Sequence, residues 1–106
     1  MPSVDNFRIE VLLSFQRALW DMVTPALRAV AVRPVGPVIY ARFIFEHEPT
    51  EDEIQIVAEV ETYVVADFTA GTDVYFSPVG VAPDIPRQLL PGEEWIYLRR
   101  EDSPEL

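Results

Sequence analysis

Apolar residues in the first quarter of the chain recur at the period of an α-helix. Val4, Phe7, Val11, Phe15, Ala18, Leu19 and Met22 form one stripe, which predicts a helix over 4–23. Thr24-Pro25 ends it, because the residue before a proline avoids the α region. Residues 26–33 admit two readings. Thr24 as a cap with Pro25 at the first helical position suits a short helix. The alternation of Val30 and Val32 before the turn-forming Pro34-Val35-Gly36-Pro37 suits a strand, and the strand is preferred.

From Val38 to Glu46 the period is two: Ile39, Ala41, Phe43 and Phe45 share one face, Tyr40, Arg42 and Ile44 the other. Pro49-Thr50-Glu51-Asp52-Glu53 then opens a helix, with Thr50 as cap and Glu53 as its capping-box partner. This helix runs to about Phe68 and ends at Ala70-Gly71; its expected core face is Ile54, Val57, Ala58, Val64, Val65 and Phe68. Asp73 to Val81 reads as a strand in which Pro78 marks an edge or a bulge. A proline-rich loop over 82–92 follows, then a strand from Glu94 to Arg100 and a tail from Glu101 expected to fray. The order is α-β-β-α-β-β. The expected fold is one α+β domain spanning 1–106: a two-layer sandwich in which a mainly antiparallel four-stranded sheet carries both helices on one face.

Composition supports a folded domain and narrows its chemistry. With 106 residues, 49% of them apolar, the chain can build one core unaided. Its formal charge of −10 is unevenly placed. The basic residues are all arginines (8, 17, 28, 33, 42, 87, 99, 100), and none lies between Phe43 and Pro86. That stretch holds Glu46, Glu48, Glu51, Asp52, Glu53, Glu59, Glu61, Asp67, Asp73 and Asp84, so the whole excess belongs to the middle of the chain. Such a field repels nucleic acid and membrane surfaces and attracts basic partners, although acidity also serves simple solubility. The interrupted N-terminal pattern is no signal peptide, and no apolar run reaches the length of a membrane span, so a cytoplasmic setting is expected.

Catalytic constellations do not emerge. Cysteine and lysine are absent, and Ser3, Ser14, Ser77 and Ser103 lie in no nucleophile-elbow context. His47 is flanked by Glu46 and Glu48, which in an extended segment point away from the imidazole, so a solvated loop histidine is expected rather than a metal site. The four glycines form no phosphate-binding or dinucleotide motif. A binding function with no catalytic residue, metal or cofactor is the expectation.

Three local features break the pattern. Glu61 falls by spacing within the expected core face of the second helix, where a lone carboxylate is costly; Arg28 is its expected partner in a structural buried pair. Ile9, Leu13 and Trp20 make an apolar stripe opposite the core stripe of the first helix, and such a second face suits self-association. On the second helix Asp52, Ile56, Glu59, Tyr63 and Asp67 gather an aromatic among carboxylates, a candidate contact surface for a basic protein.

Several segments together resemble small acidic bacterial proteins encoded near polymorphic toxins, the immunity proteins of the contact-dependent inhibition type. They are Gln16-Arg17-Ala18-Leu19-Trp20, Pro25-Ala26-Leu27-Arg28-Ala29-Val30, Phe43-Ile44-Phe45, Pro49-Thr50-Glu51-Asp52, Glu61-Thr62-Tyr63-Val64-Val65-Ala66-Asp67-Phe68 and Gly92-Glu93-Glu94-Trp95-Ile96-Tyr97. The loop from Ser77 to Pro91 matches no recognised pattern. The resemblance implies an inhibitor that covers the basic surface of a toxin domain, with nucleases among the candidates. The competing expectation is a self-associating structural or adaptor domain, a homodimer through the first helix whose acidity serves only solubility.

Overall fold

Helix α1 (Val4–Ala18) is shorter than the expected 4–23. The computed structural model describes residues 4–68 and 70–101 and, within α1, the side chains from Asn6 onward. Leu19 N–H still donates to the Phe15 carbonyl, but Trp20 and Met22 donate only three residues back, to Arg17 and Leu19. Asp21 then takes the left-handed conformation at φ 62°, which a short polar side chain tolerates without glycine. The reversal comes before Pro25 and separates two neighbours: Leu19 stays buried while Trp20 swings out to 72% exposure.

Strands β1 (Leu27–Val35) and β2 (Val38–Phe45) form the expected hairpin, closed by Gly36-Pro37. Helix α2 (Glu51–Ala66) then crosses over to β3 (Asp73–Gly80), and β4 (Glu94–Leu98) ends the order α-β-β-α-β-β. The sheet is mixed rather than uniformly antiparallel. Its spatial order is β3-β2-β1-β4, with β2 and β3 parallel and the other two pairs antiparallel. The parallel pair follows from the helix: a chain that leaves one end of β2, packs a helix on the sheet and returns alongside must run in the same direction. Pro78 sits on β3, an edge strand, where a missing N–H costs no ladder bond to an outer neighbour.

One core joins both helices to one sheet face. Val11, Phe15 and Ala18 of α1 and Val57, Val60 and Val64 of α2 meet Val30, Val32, Ile39, Ala41, Phe43 and Phe45. Phe76 stacks between Phe15 and Phe43, with ring centroids 5.4 and 5.6 Å away. The opposite face is covered by the proline-rich segment. Arg42, which points that way, donates to the Glu93 carboxylate and to the Gln88 carbonyl. That segment therefore packs under the sheet, and the outer side of α1 is uncovered among the described residues.

The expected core face of α2 is corrected. Its buried residues are Glu53, Val57, Val60 and Val64, while Ile54, Ala58 and Val65 are exposed. The helix is apolar around more than half its circumference, so periodicity alone leaves the inward arc open by roughly 70°. The capping box helps to choose it: Glu53 turns inward and accepts from Thr50 N–H at 2.9 Å, while Thr50 Oγ1 accepts from Glu53 N–H at 3.2 Å.

The expected pair Arg28–Glu61 does not form. Arg28 is fully buried as expected, but its carboxylate partner is Glu101. The register of β1 against β2 slips by one residue between Leu27 and Ala29, leaving Arg28 as the extra residue of a bulge. A bulged residue abandons the alternation that had placed Arg28 beside Val30 and Val32. The rotation of α2 leaves Glu61 half-buried, with no hydrogen bond or ion pair among the described residues. Glu101, expected to begin a frayed tail, is instead a structural anchor; residues 102–106 of that tail lie outside the described residues.

Candidate partner-binding surface

The acidic face of α2 begins at its capped first turn, where Glu51, Asp52 and Glu53 face the positive end of the helix dipole. Asp52, Ile56, Glu59 and Tyr63 continue along one side at intervals of four, three and four residues. Asp52, Glu59 and Tyr63 are exposed, Tyr63 by 57%, and Ile56 is half-buried. Asp67, the last of the group, is already engaged. As the C-cap of α2 it accepts from Ser14 Oγ at 2.7 Å and from Arg17 at 3.1 Å. The Ser14 hydrogen bond, then Arg17, holds its carboxyl below the ordinary carboxylate range. Asp67 thus ties α2 to α1. His47, just ahead of α2, is exposed. Its Nδ1 lies 2.9 Å from the Glu48 carbonyl oxygen and its Nε2 3.6 Å from Glu53; the carbonyl contact first, then the nearby carboxylates, raises its pKa.

The apolar stripe of α1 is exposed as well: Ile9 and Leu13 are each about half exposed, and Trp20 is the most exposed large hydrophobe among the described residues. Because α1 ends at Ala18, Trp20 projects from the following turn rather than from the helix. It borders a groove of about 440 Å³ lined by Leu13, Arg17, Leu19, Val23, Ile96 and Tyr97.

Charge is sorted between the inside and the outside of the fold. Arg8 holds Glu94, Arg17 holds Asp67, Arg42 holds Glu93 and Arg99 holds Glu46. Arg28, Arg87 and Arg99 converge on Glu101. Arg28 makes a two-pronged contact, Nε and Nη2 each 2.9 Å from a carboxylate oxygen. Its Nη1 donates to the carbonyls of Val81, Ala82 and Ile85, pinning the start of the proline-rich segment. Buried Arg87 donates to the carbonyls of Arg28 and Arg99. The hydrogen bonds from Arg28 outweigh burial and lower the Glu101 carboxyl to about 2. Arg33 lies over the Tyr40 ring, 4.1 Å from its centroid. The arginines are thus spent mostly on internal contacts. Glu48, Glu51, Asp52, Glu59, Asp73 and Asp84 are exposed and make no ion pair among the described residues.

The Glu101 cluster was not foreseen from the sequence, because nothing local links Arg28 to an acid 73 positions later. The available signal was the run of arginines flanking the acid, Arg99-Arg100-Glu101, beside a buried strand.

The fold and these groups define a small α+β domain with an acid-lined helix face and an apolar groove. Among the described residues no group of His, Asp and Glu is arranged to hold a metal ion, and no helix is long and apolar enough to cross a membrane. A family model described as MafI2 immunity protein matches residues 8–101. The chain belongs to the MafI2 immunity protein family. The match takes in the segment 77–91, which resembled nothing recognised in the sequence. No curated protein matches the chain.

Proposed function

We propose that this protein is an immunity-type inhibitor that works by binding, without catalysis. It covers the basic surface of a toxin domain with the outer face of α2. The observation that carries this reading is the sorting of charge. Internal pairs occupy six of the eight arginines, and the uncompensated acids, Glu51, Asp52 and Glu59 among them, stand outward on the helix that exposes Tyr63. Family membership supplies the class of partner. A toxin that acts on nucleic acid must carry a basic substrate surface, so a nuclease domain is the complementary target. An exposed aromatic on the same helix side as Glu59 and Asp52 offers both an anchor and steering charge.

The test uses the toxin domain recovered with the protein in a pull-down from its host. Association should be fast and should slow steeply as salt rises, since exposed charges are screened beyond about 10 Å at 0.1 M salt. The variant Asp52→Lys/Glu59→Lys should bind far more slowly while keeping its melting temperature, and the wild type should not be retained on immobilised DNA or RNA. A toxin that binds the double variant at the wild-type rate would remove α2 from the interface.

A further inference from the structure

The exposed stripe of α1 makes no use of the acidic field of α2 and has its own charge pattern. Leu13 lies at its centre. Glu10 precedes Leu13 by three residues and Arg17 follows it by four, so both project along one flank of the stripe. Glu10, Leu13 and Arg17 line a common depression with Asp67 and Phe68. Glu10 makes no ion pair among the described residues, and Arg17 spends only one guanidinium nitrogen on Asp67 and remains more than half exposed. The flank is therefore a free acid at one end, a base shared with Asp67 at the other and a leucine between them.

We propose that this face pairs with a second copy of the chain, α1 against α1 in antiparallel orientation about a two-fold axis at Leu13. At a rise of about 1.5 Å per residue, Glu10 lies about 4.5 Å to one side of that axis and Arg17 about 6 Å to the other. An antiparallel copy sets each Glu10 opposite the partner's Arg17, with an offset of about 1.5 Å. A two-fold perpendicular to the helix keeps both charged flanks on the same side. Parallel pairing would instead put the two flanks on opposite sides and bring no Glu10 to the partner's Arg17. The groove beside Trp20, about 440 Å³ and open, is then available to the apolar residues of the facing copy. The proline-rich segment 82–91 does not fold back over the stripe, being held on the far side of the sheet through Arg28 and Arg42. The excess negative charge lies in residues 43–86, outside α1, and Asp67, the acid of that stretch that borders the flank, is paired with Arg17. This inference does not depend on the toxin-binding reading.

Sedimentation and light scattering across a concentration series test it, with circular dichroism confirming the fold of every variant. The wild type should reach a dimer mass. Leu13→Glu, a change at an exposed position, should weaken association by about a hundredfold or more. Glu10→Arg and Arg17→Glu should each be monomeric alone, since each homodimer would oppose like charges twice. An equimolar mixture of the two should dimerise, because both cross-pairs then have opposite sign. If Arg17→Glu proves too unstable beside Asp67, Arg17→Gln with Glu10→Gln should associate less than wild type and lose most of its salt dependence. A wild type that stays monomeric at its highest soluble concentration overturns the proposal. So does a dimer that Leu13→Glu leaves intact, and a mixture that remains monomeric overturns the antiparallel register.

Discussion

Replacing Glu101 with glutamine tests the part of the structure least expected from sequence. The substitution keeps the shape of the side chain but leaves Arg28, whose side chain is 0% exposed, without its carboxylate, and weakens the hold on Arg87 and Arg99. Removing one partner of a buried ion pair costs about 3–5 kcal/mol. The depressed acidity gives a consistent figure. From an ordinary value of 4.5 down to about 2, at about 1.4 kcal/mol per pH unit, folding gains about 3 kcal/mol from the ionised form. Solvent at the edge of the carboxylate trims both figures, so about 3 kcal/mol is the working magnitude. For a domain of this size that corresponds to a fall in melting temperature of roughly 10–20 °C. Because the folded-state pKa is depressed, this stability is fully present above pH 4.5 and is lost as pH falls toward about 2. Urea melts of wild type and Glu101→Gln should differ most at neutral pH, and the gap should close through that acidic window. A gap of less than about 0.5 kcal/mol at neutral pH, the range of an ordinary surface change, would show that the cluster does not hold the fold. The control is Glu61→Ala, which should leave the melting temperature near wild type.

Arg28→Met/Glu101→Leu should not recover the loss, since the carbonyls of Val81, Ala82 and Ile85 lose their shared donor; calorimetry of single and double variants checks this. Asp67→Ala should cost about 1 kcal/mol in urea unfolding, because buried Ser14 loses its acceptor. Its pH dependence has the same sign as that of Glu101, the contribution being present above the ordinary value of 3.8 and lost as pH falls through the lowered one. Thr50→Ala removes one arm of the capping box and should cost about 1 kcal/mol, read in the same assay. Gly80→Ala should destabilise by about 1–3 kcal/mol, since a Cβ there would lie 2.7 Å from the His47 carbonyl oxygen, a backbone atom that cannot simply rotate away.

What could be read along the chain was what local chemistry decides. Alternation marked β2 down to its faces, the capping box fixed the start of α2, and Pro78 marked an edge or a bulge, of which the structure shows the edge. What could not be read depends on relations between elements. The arc that α2 turns inward is chosen by fit against the sheet, and its many apolar residues allow more than one choice. The bulge at Arg28 is one extra residue in an otherwise regular strand and leaves no mark in the residue types. A second bulge, at Ile96 in β4, likewise puts Trp95 on the far face and Tyr97 toward the core, where unbroken alternation would put them together. The parallel β2–β3 pair was within reach, because a helical crossover between adjacent strands already implies it.

The same distinction governs the candidate binding face. Exposure of Asp52, Glu59 and Tyr63 is a local consequence of helix period, whereas Asp67 is captured by a helix whose position only the fold reveals. The arginines explain why the two kinds of acid separate. A guanidinium offers five donors in a planar fork, so one Arg28 can hold a carboxylate and carbonyls of a distant segment together, which a lysine ammonium cannot do with the same reach. An all-arginine set of cations is thus suited to internal cross-linking. Once those cations are committed to the fold, acids without a structural partner necessarily appear as a net negative exterior. Folding and recognition then draw on different carboxylates: neutralising Glu101 should destabilise the domain without altering its outer field, whereas neutralising Asp52 and Glu59 should weaken that field without destabilising the fold.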